Sequence, residues 1–366
     1  MKLKDFANIN MGQSPKGDTY NSEGNGMPFM QGRKTFGRLF PFIDTWTSNP
    51  IKIAEEGDIL MSVRAPVGDM NLCNQKICIG RGLCSIRAYN NNNKYLYYLL
   101  LNCMDELKKK STGTVFDSVN KNDLENLDIP VHSENDQVKI SYILSNIDEK
   151  IELNNEINNN LYEMGDNLYN EYFGKYKDNL PSDYKIVKLN EVADNYDSKR
   201  KPMSSREREQ HKGMYPYYGA TSIIDYVDDY IFDDTYLLMG EDGTVKTDDG
   251  YPVLQYIWGK NWINNHAHVL KGNSISTELL MFALRKINIE NIITGAVQPK
   301  INQENMNKIE FIIGSDSKNK ELENILKNLM DKSKNIIEEN IKLEQLRDTL
   351  LARLMNGEIN LDNIEI

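Results

Sequence analysis

Two stretches decide the fold of this 366-residue chain: residues 134–173, ENDQVKISYILSNIDEKIELNNEINNNLYEMGDNLYNEYF, and residues 316–355, DSKNKELENILKNLMDKSKNIIEENIKLEQLRDTLLARLM. In each, alternating steps of four and three residues meet mostly apolar side chains. A narrow stripe of period about 3.5 sustained over about five heptads is typical of a coiled-coil helix. Each helix would be roughly 60 Å long at 1.5 Å per residue. The predicted helix seam consists of Ile140, Leu144, Ile147, Ile151, Leu161, Leu168, Leu322, Leu326, Leu329, Ile336, Leu343, Leu350 and Leu354.

The blocks that precede the two helices follow one plan, with TGTV at residues 112–115 recurring 182 positions later as TGAV at residues 294–297. Short β-like runs broken by Gly and Pro, such as MPFMQG and GDILMSVR, predict mainly β domains, the first with a helix at residues 94–110. The predicted organisation is domain 1 at residues 1–133, helix 1 at 134–173, a linker at 174–183, domain 2 at 184–315, helix 2 at 316–355 and a tail at 356–366.

This order predicts an α+β fold with an internal repeat and an approximate two-fold axis. If the second helix returns antiparallel along the first, both apolar stripes are buried, which favours folding by about 25 cal/mol per Å² of apolar surface. Two similar domains would then be separated by a stiff coiled coil. Asn154, Asn158 and Asn340 fall in the seam, where they either fix the register of the helices or face solvent; the sequence leaves both alternatives open.

The net charge of -11 is unevenly distributed. Residues 1–130 carry 16 basic and 14 acidic side chains and residues 184–313 carry 15 and 18, so the acidity lies mostly in the helices and the tail. Near-neutral domains can present a basic face to phosphates. The chain has no run of 18 apolar residues and no apolar signal region at its start, which predicts a soluble, cytoplasmic protein. Its four cysteines lack metal-site spacing, which favours reduced thiols over a zinc site.

Three stretches together resemble the specificity subunit of type I restriction-modification systems. They are ILSNIDEKIELNNEINNNLYEMGDNLYNEYF at residues 143–173, LLMGEDG at 237–243 followed by INNHAHVL at 263–270, and TGAVQPKIN at 294–302. The resemblance covers essentially the whole chain. It implies that each domain is a target recognition domain for one half of a bipartite site on double-stranded DNA, and that the helices set the spacing and dock other subunits.

The resemblance also implies partners. Such subunits have no catalytic or metal site of their own. They carry two modification subunits, which use S-adenosylmethionine to methylate adenine N6. In the full complex they also carry two restriction subunits, which depend on ATP and Mg. Cofactors are therefore expected in the partner subunits, and no membrane is involved.

Recognition of DNA needs side chains that contact base edges and phosphates. Arg33 and Arg64 are candidates for a bidentate contact to guanine, against the alternative of solvated or ion-paired surface arginines. The densest basic cluster near a domain opening is the run Ser198–Lys201. The candidate DNA-binding residues are Ser14, Lys16, Arg33, Lys34, Arg38, Arg64, Arg81, Thr112, Thr114, Lys199, Arg200, Lys201, Tyr217, Tyr218, Lys246, Lys260, His266, Gln298 and Lys300.

Some of these residues have a structural alternative. His266 and His268 alternate in a predicted strand and would face one side, where packing or hydrogen bonding is favoured over metal binding because no further ligands can be placed. Tyr215, Tyr217 and Tyr218 are favoured as core or surface strand residues over a platform for stacked bases.

Two other functions compete with DNA recognition. A methyltransferase would need a (D/N)PP(Y/F) motif, and the nearest sequence, Asn49-Pro50-Ile51, lacks its second proline and aromatic residue. A phosphate loop of the GxxxxGK(S/T) type is also missing. A coiled-coil adaptor whose domains bind proteins would explain the repeat equally well, so only the domain motifs favour DNA.

Overall fold

The computed structural model describes residues 1–110, 118–295, 298–362 and 364. Its contacts divide the chain into two compact units. Unit 1 comprises Met1–Asn155 and Glu338–Ile366, and unit 2 comprises Glu156–Ile337. Each predicted domain is therefore packed with parts of both long helices, and each unit has an α+β fold.

Unit 1 begins with a single helical turn, which the side chain of Asp5 caps by accepting a hydrogen bond of 3.2 Å from the backbone N–H of Lys2. Three antiparallel pairs build its four-stranded first sheet, and the unit also has a five-stranded second sheet. The elements are α1 (Leu3–Phe6), β1 (Ala7–Met11), β2 (Tyr20–Asn21), β3 (Met27–Met30), β4 (Trp46–Thr47), β5 (Ile53–Ala54), β6 (Ile59–Ser62), β7 (Met70–Leu72), β8 (Ile77–Ile79), β9 (Leu83–Ala88), α2 (Asn93–Lys110), α3 (Lys121–Glu125) and α4 (Glu134–Tyr172).

Unit 2 repeats this plan, and the turn at its start is capped in the same way, with Glu191 accepting a hydrogen bond of 3.0 Å from the N–H of Lys188. The elements are β10 (Lys185–Lys188), α5 (Leu189–Val192), β11 (Ala193–Asn195), α6 (Ser205–Gln210), β12 (Lys212–Tyr218), β13 (Ile223–Val227), β14 (Phe232–Asp233), β15 (Tyr236–Gly240), β16 (Leu254–Ile257), β17 (Lys260–Ile263), β18 (Ala267–Gly272), α7 (Thr277–Leu284), α8 (Gln303–Met306), β19 (Glu310–Ile313) and α9 (Asp316–Met355).

The two units share sheet topology. The first sheet has the order β1-β9-β6-β7 in unit 1 and β11-β18-β15-β16 in unit 2. In the second sheet β3 pairs in parallel with β8, and β12 pairs in parallel with β17. The registers match as well: Met61 faces Cys84 in unit 1, and Met239 faces His268 in unit 2. The predicted internal repeat is thus confirmed in the first sheet and in the parallel pair of the second sheet, although the second sheet has five strands in unit 1 and four in unit 2.

The long helices are those that the heptads predict. In unit 1, Asp148 and Asn154 of α4 contact Arg347 and Asn340 of α9, so the residue numbers rise on one helix as they fall on the other. In unit 2, Tyr172 near the end of α4 donates a hydrogen bond of 2.7 Å to Glu321 near the start of α9. Each unit therefore contains an antiparallel helix pair, and all thirteen predicted apolar seam residues are buried or half-buried.

The seam asparagines Asn154, Asn158 and Asn340 are buried and do not face solvent. In unit 1, the Asn154 side-chain amide donates to Asn340 Oδ1 at 2.7 Å, and the Asn340 amide donates to Asn155 Oδ1 at 2.9 Å. In unit 2, Asn158 is buried and its Oδ1 has no hydrogen-bond partner among the described residues. A buried amide pair of this kind penalises a shifted register, because slippage would leave both amides unpaired.

Two further sequence predictions concern the thiols and the membrane. All four cysteines are buried in unit 1. Among the described residues, no helix is both long and apolar enough to cross a bilayer.

Candidate nucleic-acid interface

In unit 1, the loops after β1, β3 and β6 and the loop before β9 come together at one edge. The backbone N–H groups of Gly12 and Val63 donate to Leu83 O at 2.9 Å and Gly82 O at 3.0 Å. Gly80 N–H donates to Met30 O at 2.8 Å. The approach is so close that a Cβ on Gly12 would lie 2.2 Å from the carbonyl oxygen of Gly80. Glycine at this position is therefore required by contact with a neighbouring backbone.

The unit 1 loop cluster presents cations to solvent. Ser14 Oγ donates to Gln31 Oε1 at 2.8 Å and accepts a hydrogen bond of 3.2 Å from the backbone N–H of Arg81. Arg64 and Arg81 are exposed, and within the described residues no carboxylate lies within 4.0 Å of either guanidinium. Lys16 is also exposed in this cluster. These side chains can bind phosphate or a base edge without first breaking an ion pair.

The remaining candidates in unit 1 are placed differently. Arg33 is ion-paired with Asp69, and Lys34 lies 3.9 Å from Asp44. Arg38 is half-buried, and its guanidinium binds Asp148 at 2.7 Å and Glu152 at 2.6 Å on α4. The prediction of a DNA contact for Arg38 is thus at odds with the structure, since its donors are used by helix carboxylates. Thr112 and Thr114 lie outside the described residues.

Unit 2 has a loop cluster at the equivalent edge. Glu241 N–H donates to His266 O at 2.8 Å, as Val63 does to Gly82, and Asn264 N–H donates to Tyr218 O at 3.1 Å. Ile301 N–H donates to Glu241 O at 2.9 Å. Parts of three segments that lie far apart along the chain therefore meet at this edge: residues 237–243, residues 263–270 and residues 298–302.

A buried charged network supports the unit 2 loop cluster. His268 Nδ1 lies 2.6 Å from Asp197 Oδ2, and its Nε2 lies 2.8 Å from Ile301 O. Arg200 Nη1 donates to Glu241 Oε2 at 2.7 Å and to Ala267 O at 2.6 Å. Burial opposes ionisation of Asp197, but hydrogen bonds from His268, the charge of His268 and a hydrogen bond from Gln303 outweigh it and lower the pKa of Asp197 to about 2.

Oxygen and nitrogen atoms of Asp197, Glu241 and His268 lie within 4.8 Å of one another, a spacing that metal ligands also show. Here Asp197 is paired with His268, and Glu241 is paired with Arg200. The guanidinium of Arg200 also lies 3.4 Å from Asp197, so both carboxylates have the same arginine as a cationic partner. We therefore assign this network to the support of the loops and not to metal binding.

The cationic residues of the predicted basic run Ser198–Lys201 differ in their exposure to solvent. The Arg200 side chain is only 11% exposed and belongs to the buried network, so the prediction that it contacts DNA conflicts with its burial. Lys199 Nζ lies 4.8 Å from the centre of the Tyr196 ring. Lys201 is exposed, and its carbonyl accepts a hydrogen bond of 2.6 Å from Trp262 Nε1. Lys199 and Lys201 are the two cations of this run that remain accessible.

Three other candidates lie in the unit 2 loop cluster itself. His266 is exposed in a turn just before β18, not within the strand as predicted, because residues 264–266 turn the chain; its Nδ1 lies 2.6 Å from Asp242 Oδ1. Lys300 is 49% exposed, with Nζ 3.3 Å from Glu241. Gln298 is exposed beside it.

The remaining candidates in unit 2 lie elsewhere. Tyr217 is 1% exposed, and its hydroxyl accepts a hydrogen bond from Met203 N–H, so this ring is a core residue as the structural alternative held. Tyr218 is half-buried. Lys260 stands at the far end of β17 from the loop cluster, with Nζ 4.5 Å from the Tyr230 ring centre. Lys246 is ion-paired with Glu290. A DNA contact for Tyr217 would require unfolding of its surroundings.

One pair of equivalent contacts in the two units was not predicted from the sequence. Arg64 faces Ser118 in an isolated bridge of unit 1, and Asp242 faces Lys300 in the equivalent bridge of unit 2. Each unit thus has one cationic residue in this bridge. Arg64 of unit 1 is at the position of Asp242 in unit 2, whereas Lys300 of unit 2 is at the position of Ser118 in unit 1. The 182-residue offset that relates Ser118 to Lys300 was a usable signal, but no sequence pattern pairs Asp242 with Arg64, because the intervening loops differ in length.

Comparison with known proteins identifies relatives of this chain. The family model described as type I restriction modification DNA specificity domain matches residues 1–163 and again residues 181–345. A putative type I restriction enzyme MjaX specificity subunit from Methanocaldococcus jannaschii is 40% identical over 150 residues, which are 40% of this chain and only 35% of that protein. The type I restriction enzyme MjaIX specificity subunit of the same organism is 21% identical over 408 residues, covering 99% of this chain and 94% of that protein.

A solved structure has the same fold. The crystal structure of the type I restriction-modification system S subunit from M. genitalium superposes with a TM-score of 0.62 at 19% identity, covering 97% of this chain and 95% of that one.

Proposed function

The chain belongs to the type I restriction modification DNA specificity family, and we propose that it is the non-catalytic specificity subunit of a type I complex. Each unit would recognise one half of a bipartite site on double-stranded DNA through its loop cluster. The observation that carries this proposal is the repetition of one loop cluster on one sheet topology, with different side chains at equivalent positions. A shared scaffold with unlike contact residues is what two different half-sites require.

The side chains of the loop clusters support the assignment chemically. An exposed arginine can bind O6 and N7 of guanine with two parallel hydrogen bonds. Arg64 and Arg81 are exposed and have no ion-pair partner within the part of the chain that the structure describes. The unit 2 loop cluster presents three other groups at the equivalent edge: the ammonium of Lys300, the amide of Gln298 and the imidazole of His266. The predicted boundaries of the two recognition domains remain predictions.

We further propose that α4 and α9 set the gap between the half-sites. The buried Asn154–Asn340 pair supports a single register between the two helices in unit 1. The length of each helix follows from its number of residues at about 1.5 Å per residue. At about 3.4 Å per base pair, helix length would translate directly into a number of spacer bases.

The partner subunits would carry the chemistry. In this proposal, two modification subunits dock on the helices and transfer the methyl group of S-adenosylmethionine to adenine N6, and two restriction subunits use ATP and Mg. The complex would act in the cytoplasm. Large apolar side chains that remain exposed on the helices of unit 1 support a docking role: Val138, Tyr142, Leu153, Ile341 and Leu346.

Reconstitution tests the proposal. The chain is combined with the adjacent methyltransferase subunit and S-adenosylmethionine, and the DNA product is mapped by single-molecule methylation sequencing. We expect one bipartite motif with a constant gap, and no methylation by the chain alone. A complex that assembles but neither binds nor methylates DNA would favour a protein-binding adaptor instead.

A further inference from the structure

A short turn of the loop cluster has the same length in both units. It joins β8 to β9 through residues 80–82 in unit 1, and β17 to β18 through residues 264–266 in unit 2. The first residue of each turn donates its N–H to the end of the neighbouring parallel strand, at 2.8 Å in unit 1 and 3.1 Å in unit 2. The third residue accepts a hydrogen bond from the residue that follows β6 or β15, at 3.0 and 2.8 Å. Arg81 and Asn265 are therefore equivalent residues at the centre of the same turn.

The two central side chains are exposed and are not used inside their units. No carboxylate among the described residues lies within 4.0 Å of the Arg81 guanidinium. The Asn265 amide makes no hydrogen bond within the described ranges of the chain. Each side chain therefore keeps its donors, and Asn265 also keeps its acceptor, for a ligand.

The asparagine before Asn265 has a different role. Asn264 is only 5% exposed, and its Oδ1 accepts a hydrogen bond of 2.8 Å from the backbone N–H of His266. A side chain thus closes the turn in unit 2, whereas in unit 1 the N–H of Leu83 donates to Gly80 O at 3.0 Å. Asn264 fixes the shape of the turn, and Asn265 is the amide that the turn presents to solvent.

The turn is part of the candidate interface in each unit. In unit 1, the backbone N–H of Arg81 donates to Ser14 Oγ at 3.2 Å in the loop after β1. In unit 2, the last residue of the turn, His266, has Nδ1 2.6 Å from Asp242 Oδ1, and Asp242 faces Lys300 in the isolated bridge. The central side chain therefore belongs to the same loop cluster as groups that can bind phosphate.

We propose that Asn265 recognises adenine in the half-site contacted by unit 2, and that Arg81 recognises guanine through the equivalent turn of unit 1. The acceptor and donor of an asparagine amide match N6 and N7 of adenine in the major groove, whereas the paired donors of an arginine match O6 and N7 of guanine. One turn with two different side chains thus gives the two half-sites different sequences. This inference rests on the proposed function and adds to it the base that each turn recognises.

The first test is methylation sequencing with the reconstituted complex that contains Asn265→Ala or Arg81→Ala. We expect Asn265→Ala to lower discrimination at one A·T position of one half-site by about tenfold, the contribution of one bidentate base contact. Arg81→Ala should lower discrimination at one G·C position of the other half-site by a similar factor. Asn179→Ala is the matched control, because this asparagine of unit 2 is exposed outside the loop cluster and should leave the motif unchanged.

Three results of the first test would overturn the inference: an unaltered motif for either variant, relaxed positions that lie in one and the same half-site, or a G·C pair at the position relaxed by Asn265→Ala. If the wild-type complex assembles but shows no bipartite motif, the proposed function itself fails.

The second test separates a base contact from a phosphate contact. Binding of the reconstituted complex is measured to the native duplex and to duplexes in which each A·T pair of the unit 2 half-site is replaced in turn by G·C. At one position the wild-type complex should prefer the native duplex by about tenfold, and Asn265→Ala should bind both duplexes equally. An affinity that Asn265→Ala lowers equally for all duplexes would indicate a phosphate contact and overturn the inference. The denaturant midpoint of Asn265→Ala should equal that of the wild-type chain, because the Asn265 side chain is exposed.

Discussion

Asp148 on α4 accepts a hydrogen bond of 3.0 Å from the guanidinium of Arg347 on α9, and thereby joins the two long helices within unit 1. The same carboxylate accepts hydrogen bonds from Arg38 at 2.7 Å and from the Tyr98 hydroxyl at 2.6 Å. One buried anion therefore connects the sheet region, α2 and both helices of the unit. Asp148 thus joins the loop after β3, which carries Arg38, to the helix pair of unit 1.

Asp148→Asn should destabilise unit 1. Removal of the anion leaves two partly buried arginines without their shared partner, and breaking a buried ion pair from one side costs about 3–5 kcal/mol. Denaturant unfolding of the chain measures the loss. Glu149→Gln is the matched control, because Glu149 is the next residue and pairs with Lys94 at the exposed surface, so a change below about 0.5 kcal/mol is expected. Similar losses for the two variants would contradict the role of Asp148.

Arg64 should specify a base rather than only bind phosphate. Arg64→Lys keeps the charge but loses the planar pair of donors, so it should lower discrimination at a single position of the unit 1 half-site by about 1–3 kcal/mol. Methylation sequencing of the reconstituted complex detects this relaxation. Lys34→Ala is the control, since Lys34 lies beside Asp44 and should leave the motif unchanged. An unaltered motif for Arg64→Lys would remove Arg64 from the base contacts.

Lys199 and Lys201 should contribute affinity without specificity. The double variant Lys199→Ala/Lys201→Ala should weaken binding to all sequences and reduce the slope of log K against log salt by about two, one for each lost phosphate contact. Titrations at several salt concentrations measure the slope. Arg200→Ala should instead lower the stability of unit 2, because it leaves Glu241 buried without its arginine. A slope that stays constant in the double variant would exclude both lysines from the interface.

Helix length should determine the spacer. Deletion of one heptad from α4 and of the facing heptad from α9 shortens the helix pair by about 10 Å, which corresponds to about three base pairs. The variant should lose recognition of the native gap while each half-site sequence is retained. Methylation mapping that returned the original gap would argue against the helices as a ruler.

Acid should weaken unit 2 through Asp197. Its pKa in the folded protein is lowered to about 2, whereas an ordinary aspartate has a pKa of about 3.9. The contribution of ionised Asp197 to the free energy of unfolding is about 2 kcal/mol. This contribution is complete above about pH 4 and is lost as the pH falls towards about 2. Denaturant unfolding at several pH values should show this loss in the wild type and a flatter profile in Asp197→Asn. Parallel profiles would mean that Asp197 is not the responsible group.

Much of the fold could be predicted because its signals are local or periodic. Heptads identified α4 and α9, and motifs 182 positions apart identified the repeat. The binding candidates were less predictable. Arg38 looks like a loop arginine in QGRKTFGR, but its partner Asp148 is 110 residues away in the sequence. Tyr217 has the alternation of a strand residue, but only the packing of unit 2 decides which side of the strand is buried.

By itself, the sequence determined the two long helices, the repeated α+β units and the family, because apolar periodicity and motif order are properties of the chain that need no knowledge of long-range contacts. The tertiary structure decided which charged residues are available to a partner. Arg64 and Arg81 remain exposed, whereas Arg38 and Arg200 bind internal carboxylates. The physical reason is that an arginine's partner is set by distance in space, and folding brings together acids and bases that the sequence keeps far apart.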